Sequence, residues 1–332
     1  LFQNIHRNGE SFEMIKNVLA AIALAASSLV MSGCTNGDAD PQETDVVIAQ
    51  WGSEKYLIYL PVYIAQEEGF FAKRGLNVEI EFSGNDDQVF AKVLRGDAQF
   101  GVGDPIFTAI SRQQGADGIV VASIVDKVAL WGVSKNSDSA PGGDFSGLRV
   151  GTFPRPSTTY TLLSDTIETT EAAGAEVVEA PIGNELALLE SGSADIVMML
   201  EPAASIAEAE GYSVVTSFPQ VWGKFAFTGL TSTQSYAEGN EATVQAMREA
   251  LQEAVSLAHS DRARAIEIAA SLFPTVDRQV VEAAVNRMLD DETLPKSVDL
   301  DETSWVASVQ VRQRVGDVNE GFDCLECLYA VK

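Results

Sequence analysis

Two stretches of this chain hold the residue types that chemistry needs. "GNDDQ" (Gly84–Gln88) sets Asp86 beside Asp87, paired carboxylates of the kind used for acid–base work. "FPRPSTTY" (Phe153–Tyr160) places Ser157, Thr158 and Thr159 where a helix should open, so hydroxyls and free backbone N–H groups meet there. Adjacent acids in one turn seldom converge on one substrate. Asp86 and Asn85 therefore read as hydrogen-bonding partners for a ligand, or simply as turn formers beside Gly84. The hydroxyl run is a ready site for an anion or an ordinary N-cap; both readings stay open. Nucleophilic catalysis needs a base beside Ser or Cys, and His259 is the one histidine beyond residue 33. No G-x-G-x-x-G or phosphate loop is present, so no nucleotide cofactor is expected.

Three further groups carry polar or aromatic chemistry. Glu201 closes the apolar run "DIVMMLE" and should project from a strand end, where it accepts hydrogen bonds from an amine or amino-heterocycle, or meets only water. Trp51 and Tyr56 follow the first strand and either stack on a planar or cationic ligand or pack internally. Cys324 and Cys327 lie in "DCLEC". Zinc would want four ligands, and a redox pair is expected at a helix start after a strand. No metal is expected, and a structural disulfide suits an oxidising compartment. A loop this small contributes roughly 2 kcal/mol in the chain-entropy model.

The elements that position these residues alternate. Asp45–Trp51 is a β-branched strand; a helix over Leu60–Glu68 stops at Gly69, and another runs from Phe70 to Gly75. Asn77–Gly84 alternates as a strand, Asp86–Asp97 has an acidic start and a glycine stop, "AQFGVGD" is a strand, and Pro105 opens a helix before the strand Gly118–Val125. The cycle restarts over Ser146–Glu168 and Ala175–Gly211, and from Tyr236 to about residue 312 the pattern is helical. Val244, Met247, Leu251, Val255 and Ala258 fall on one face of that helical region. Strands separated by helices require a mostly parallel sheet.

Charge and the N-terminal segment bear on the compartment. The 332 residues hold 48 acidic and 22 basic side chains, a net charge of −26, which repels nucleic acid. Met14-Ile15-Lys16, the apolar run Val18–Met31 and Ser32-Gly33-Cys34 have the parts of an export signal. The apolar run falls short of the ~20 residues of a spanning helix. Residues 1–13 have no targeting character and read as upstream translation. "LVMSGC" resembles a bacterial lipoprotein box, which implies lipidation of Cys34, and residues 34–44 form a polar tether.

"YLPVYIAQEEGFFAKRGLNVEI", "VLRGDAQFGVG", "GLRVGTFPRPSTTY" and "LESGSADIVMMLEPAA" follow one another in a known order. Over about residues 45–260 the chain resembles the sulfonate/nitrate/pyrimidine-precursor family of substrate-binding proteins that feed ABC importers. The resemblance implies an α/β fold of the periplasmic-binding-protein type II clamp, two lobes with a hinge crossed twice. Lobe one would be 45–126 with 235–332, and lobe two 127–234. It implies ligand contacts from Trp51, Gly52, Tyr56, Tyr59, Gly84, Asn85, Asp86 and Asp104 in lobe one. From lobe two it implies Pro154, Arg155, Ser157, Thr158, Thr159, Tyr160, Glu201 and Trp222. A sulfonate or nitrate would use Arg155 with the helix start; a pyrimidine or amine would use Glu201 and the aromatics. The implied partners are a permease and an ATPase, with a membrane receptor as the alternative. The one enzyme sharing this fold, a pyrimidine-precursor synthase, uses a cysteine-rich motif that this chain lacks.

Overall fold

The computed structural model describes residues 43–140 and 143–330. The export signal, Cys34 and most of the tether lie outside the described residues. The strands are β1 (Thr44–Gln50), β2 (Leu76–Phe82), β3 (Phe100–Gly103), β4 (Gly118–Lys127), β5 (Trp131–Ser134), β6 (Arg149–Thr152), β7 (Glu176–Glu179), β8 (Ile196–Met199), β9 (Ser213–Ser217) and β10 (Lys224–Thr233). They form two five-stranded sheets, ordered β2-β1-β3-β10-β4 and β7-β6-β8-β5-β9. In each, three parallel strands are extended by antiparallel partners. β10 runs antiparallel to β3 and β4, and β5 antiparallel to β8 and β9.

Each sheet is the floor of one lobe, and the chain passes between them twice. The first crossing is Val128–Leu130, fully buried; the second is the short helix Phe218–Trp222. Phe218 N–H donates to Leu130 C=O at 3.1 Å, which ties the crossings together. Asp291 gathers both, accepting from Trp131 Nε1 (2.7 Å), Ser217 Oγ (2.9 Å) and Gln220 Nε2 (3.0 Å).

β10 corrects the expected lobe boundary. Its pairing with β3 and β4 returns the chain to the first sheet by Lys224, not at 235. "KFAFTGLTST" is buried on both faces over nearly its whole length, so it shows no alternation to mark it as a strand. β5 and β9 are likewise absent from the sequence reading. The helix expected over Phe70–Gly75 is a single 3₁₀ turn, Ala72–Arg74.

The helices cover the sheets: α1 (Leu60–Glu67), α2 (Asp86–Arg95), α3 (Phe107–Arg112), α4 (Thr158–Thr169), α5 (Glu185–Glu190), α6 (Ala203–Ala209), α7 (Phe218–Trp222), α8 (Gln234–Gly239), α9 (Glu241–Ser260), α10 (Arg262–Leu272), α11 (Arg278–Asp290) and α12 (Glu302–Arg314). The face of α9 marked by Val244, Met247, Leu251, Val255 and Ala258 is fully buried. The last two helices span the lobes. α12 packs on β10 and reaches α4, while α11 packs on α10 and reaches α6. Beyond α12, Cys324 and Cys327 are joined in a disulfide that packs with Trp305 and Val309.

Candidate functional site

The turns after β1, β2 and β3 meet those after β6 and β8 between the lobes. The first is fixed by a glycine pair: Gly52 and Gly84 exchange backbone hydrogen bonds at 2.6 and 3.0 Å. Gly52 has φ +97°, and a Cβ there would stand 2.4 Å from the Tyr56 ring. That close approach holds Tyr56 against Trp51, with ring centroids 4.8 Å apart. Asn85 then caps α2 through a reciprocal box with Gln88, which points Asp86, the first helical residue, at the turn after β3.

Two adjacent spaces that share part of their walls result. An inner cavity of about 50 Å³ is lined by Trp51, Tyr59, Asp86, Asp104, Ser157, Thr158 and Thr159, closed by Ile58, Phe153, Leu200, Phe227 and Thr228. An outer chamber of about 520 Å³ shares Trp51, Phe153 and Leu200 with it. Gly52, Tyr56, Gly84, Asn85 and Glu201 line the chamber, along with Glu54, Lys55 and Glu185. Both lobes contribute to both spaces.

Inside, carboxylates and hydroxyls form a network across the lobes. Asp104 N–H donates to Asp86 Oδ1 at 2.8 Å. Asp104 Oδ2 accepts from Thr158 Oγ1 at 2.6 Å and from Arg312 Nη2 at 3.0 Å. Arg312, near the end of α12, also donates to Thr158, Thr161 and Asp317. Ser157 Oγ accepts from Tyr160 N–H and lies 3.0 Å from Thr159 Oγ1. Asp86 is pushed up to about 7, first by desolvation and then by the Asp104 charge; the Asp104 N–H and Arg312 oppose the shift. Tyr59 is 2% exposed, and burial together with the Asp86 and Asp104 charges raises its hydroxyl well above the usual tyrosine range.

The remaining expected residues lie elsewhere. Arg155 is exposed and paired with Glu179 at 2.8 Å, with its guanidinium over the Tyr160 ring. Trp222 donates to Thr166 Oγ1 and packs on Phe225. Pro154, Arg155, Tyr160 and Trp222 are not among the lining residues of either space. Glu201 borders the chamber, but its carboxylate is committed. It accepts from Arg287 at 2.6 Å and from Ser205 through both hydroxyl and N–H, and the side chain is fully buried. The expectation of a carboxylate at this strand end that is free to accept hydrogen bonds from a ligand is corrected on that ground. His259 sits apart, its ring nitrogen against the carbonyls of Leu294 and Pro295.

Phe227, Thr228 and Arg312 had no sequence signal pointing to the cleft. The first two come from the unread strand β10. Arg312 lies in a helix with almost no amphipathic pattern, and its partner is 208 positions away.

The model of the family described as NMT1/THI5 like matches residues 58–265, more than half of the chain. The chain belongs to the NMT1/THI5-like family. A relative of this family member, YtlA of Bacillus subtilis (strain 168), is provisionally named a binding protein; it is 24% identical over 274 residues, covering 79% of this chain and 81% of YtlA. The periplasmic aliphatic sulphonate binding protein SsuA of Escherichia coli superposes with a TM-score of 0.65 at 18% identity, covering 82% of this chain and 90% of SsuA. The periplasmic nitrate-binding protein NrtA of Synechocystis PCC 6803 gives 0.63 at 12% identity, covering 85% and 84%. The fold of the family member is that of periplasmic binding proteins.

Proposed function

We propose that this protein captures a small organic solute outside the cytoplasm and delivers it to the permease of an ABC importer. The observation that carries this is the cleft itself, where turns from both sheets wall a pair of adjacent spaces across a double crossing. Such a clamp favours closure when only the closed form makes both sets of contacts. The relatives named for sulphonate and nitrate binding support a transport role. The sequence around Cys34 supports export and a lipid anchor, which palmitate labelling lost in Cys34→Ser would check.

The site makes a two-sided demand. Trp51→Ala removes a wall from the first lobe, and Thr158→Val removes the second-lobe hydroxyl that reaches Asp104. A thermal-shift screen identifies a stabilising solute by mass action. Calorimetry with that solute should show at least a tenfold loss for Trp51→Ala and a several-fold loss for Thr158→Val. Wild-type affinity in both variants would place binding outside the cleft.

A further inference from the structure

Two side chains that could seat an anion are already engaged by the protein. Thr158 Oγ1, at the start of α4, and the Arg312 guanidinium both donate to one carboxylate, and it is the chain's own Asp104. Arg155, the other cation near this turn, is held outside by Glu179. Lys55 is the only Lys or Arg among the residues lining the two spaces, and it is exposed. The inner cavity therefore confronts a ligand with Asp86 and Asp104 against a single arginine, which is also shared with Asp317. An anion would be desolvated beside two acids.

Asp86 is short of hydrogen-bond donors from the protein. Asp86 receives one donor, the Asp104 N–H on Oδ1, and Oδ2 has none among the described residues. The Tyr59 hydroxyl, on a side chain 98% buried, also has no hydrogen-bond partner there, and it feels the charges of Asp86 and Asp104. Trp51 stands beside them as an aromatic wall. A carboxylate short of donors, a free phenol and an indole face suit a cation.

We propose that the solute carries a protonated nitrogen, an ammonium or protonated amino-heterocycle, which donates to Asp86 in the inner cavity while its organic body lies past Trp51 in the outer chamber. This rests on the clamp function proposed above. The volumes agree: about 50 Å³ accommodates a small polar head, and about 520 Å³ beyond it accommodates the body. Because Asp104 answers Arg312 and Thr158, Asp86 is the group left to receive the ligand.

The test is a thermal-shift and calorimetric comparison of two probe sets. Benzylamine, 4-aminopyridine, putrescine and choline form the cationic set; benzenesulfonate, methanesulfonate and nitrate form the anionic one. At least one cation should raise the melting temperature of the wild type, and no anion should. Asp86→Asn keeps the oxygen that accepts from Asp104 N–H, so it should fold, and it should bind that cation at least tenfold more weakly. Arg155→Gln should bind it as the wild type does. Binding of an anion but no cation, with loss in Trp51→Ala, would overturn the cation proposal and leave the clamp intact. Undiminished cation binding in Asp86→Asn would also overturn it. Silence from both sets would count against the proposal and the clamp together.

Discussion

Glu201, fully buried, and Asp86, half-buried, are both carboxylates at the cleft on segments that follow strands, one in each lobe, and they are provided for very differently. Glu201 is met by the Arg287 guanidinium and by two donors of Ser205, and Arg287 itself extends to Glu208. Asp86 is met by one backbone N–H and faces another acid. A saturated buried charge holds structure together; an undersupplied one is held ready for something else. The difference separates a tie between α11 and α6 from a site. It also explains why a position at a strand end is insufficient to assign a ligand contact.

The comparison is most severely strained by removing the tie. Arg287→Ala leaves the Glu201 carboxylate buried without its cation, which should destabilise the protein by about 3–5 kcal/mol in denaturant unfolding. A loss below about 1 kcal/mol would mean that Glu201 is no better provided for than Asp86.

A smaller effect is expected at Asp86, with the sign set by its raised value. The folded protein holds this proton more tightly than the unfolded chain, whose carboxyl titrates near 3.8. The contribution of Asp86 to stability is therefore fully present below about pH 4 and is lost as pH rises to about 7. Asp104, Arg312, Asp87 and Tyr59 face this group, with Arg312 and the Asp104 N–H opposing the shift. Asp86→Asn removes the titration, so wild type should lose up to a few kcal/mol relative to the variant between pH 4 and 7. Parallel stability profiles for the two proteins would show that folding does not raise the Asp86 carboxyl.

Much of this frame is legible in the sequence, because it depends on local pattern. The glycine-stopped helices, the parallel strands β1 to β3 and the cap at Ser157 each announce themselves within a few residues. The turn residues Trp51, Asp86, Asp104 and Thr158 come together as strand ends must in such a fold. What escapes is whatever depends on a distant partner. Glu201 and Arg155 look free until Arg287 and Glu179 are seen beside them. Arg312 reaches the cavity only because α12 lies on β10, a strand whose two buried faces give no period to read.

The central claim is that both lobes close on one solute, and small-angle scattering tests it most directly. On saturation with the probe that most raises the melting temperature, the radius of gyration of the wild type should fall, and Trp51→Ala at the same probe concentration should not contract. An unchanged radius in the saturated wild type would contradict the account.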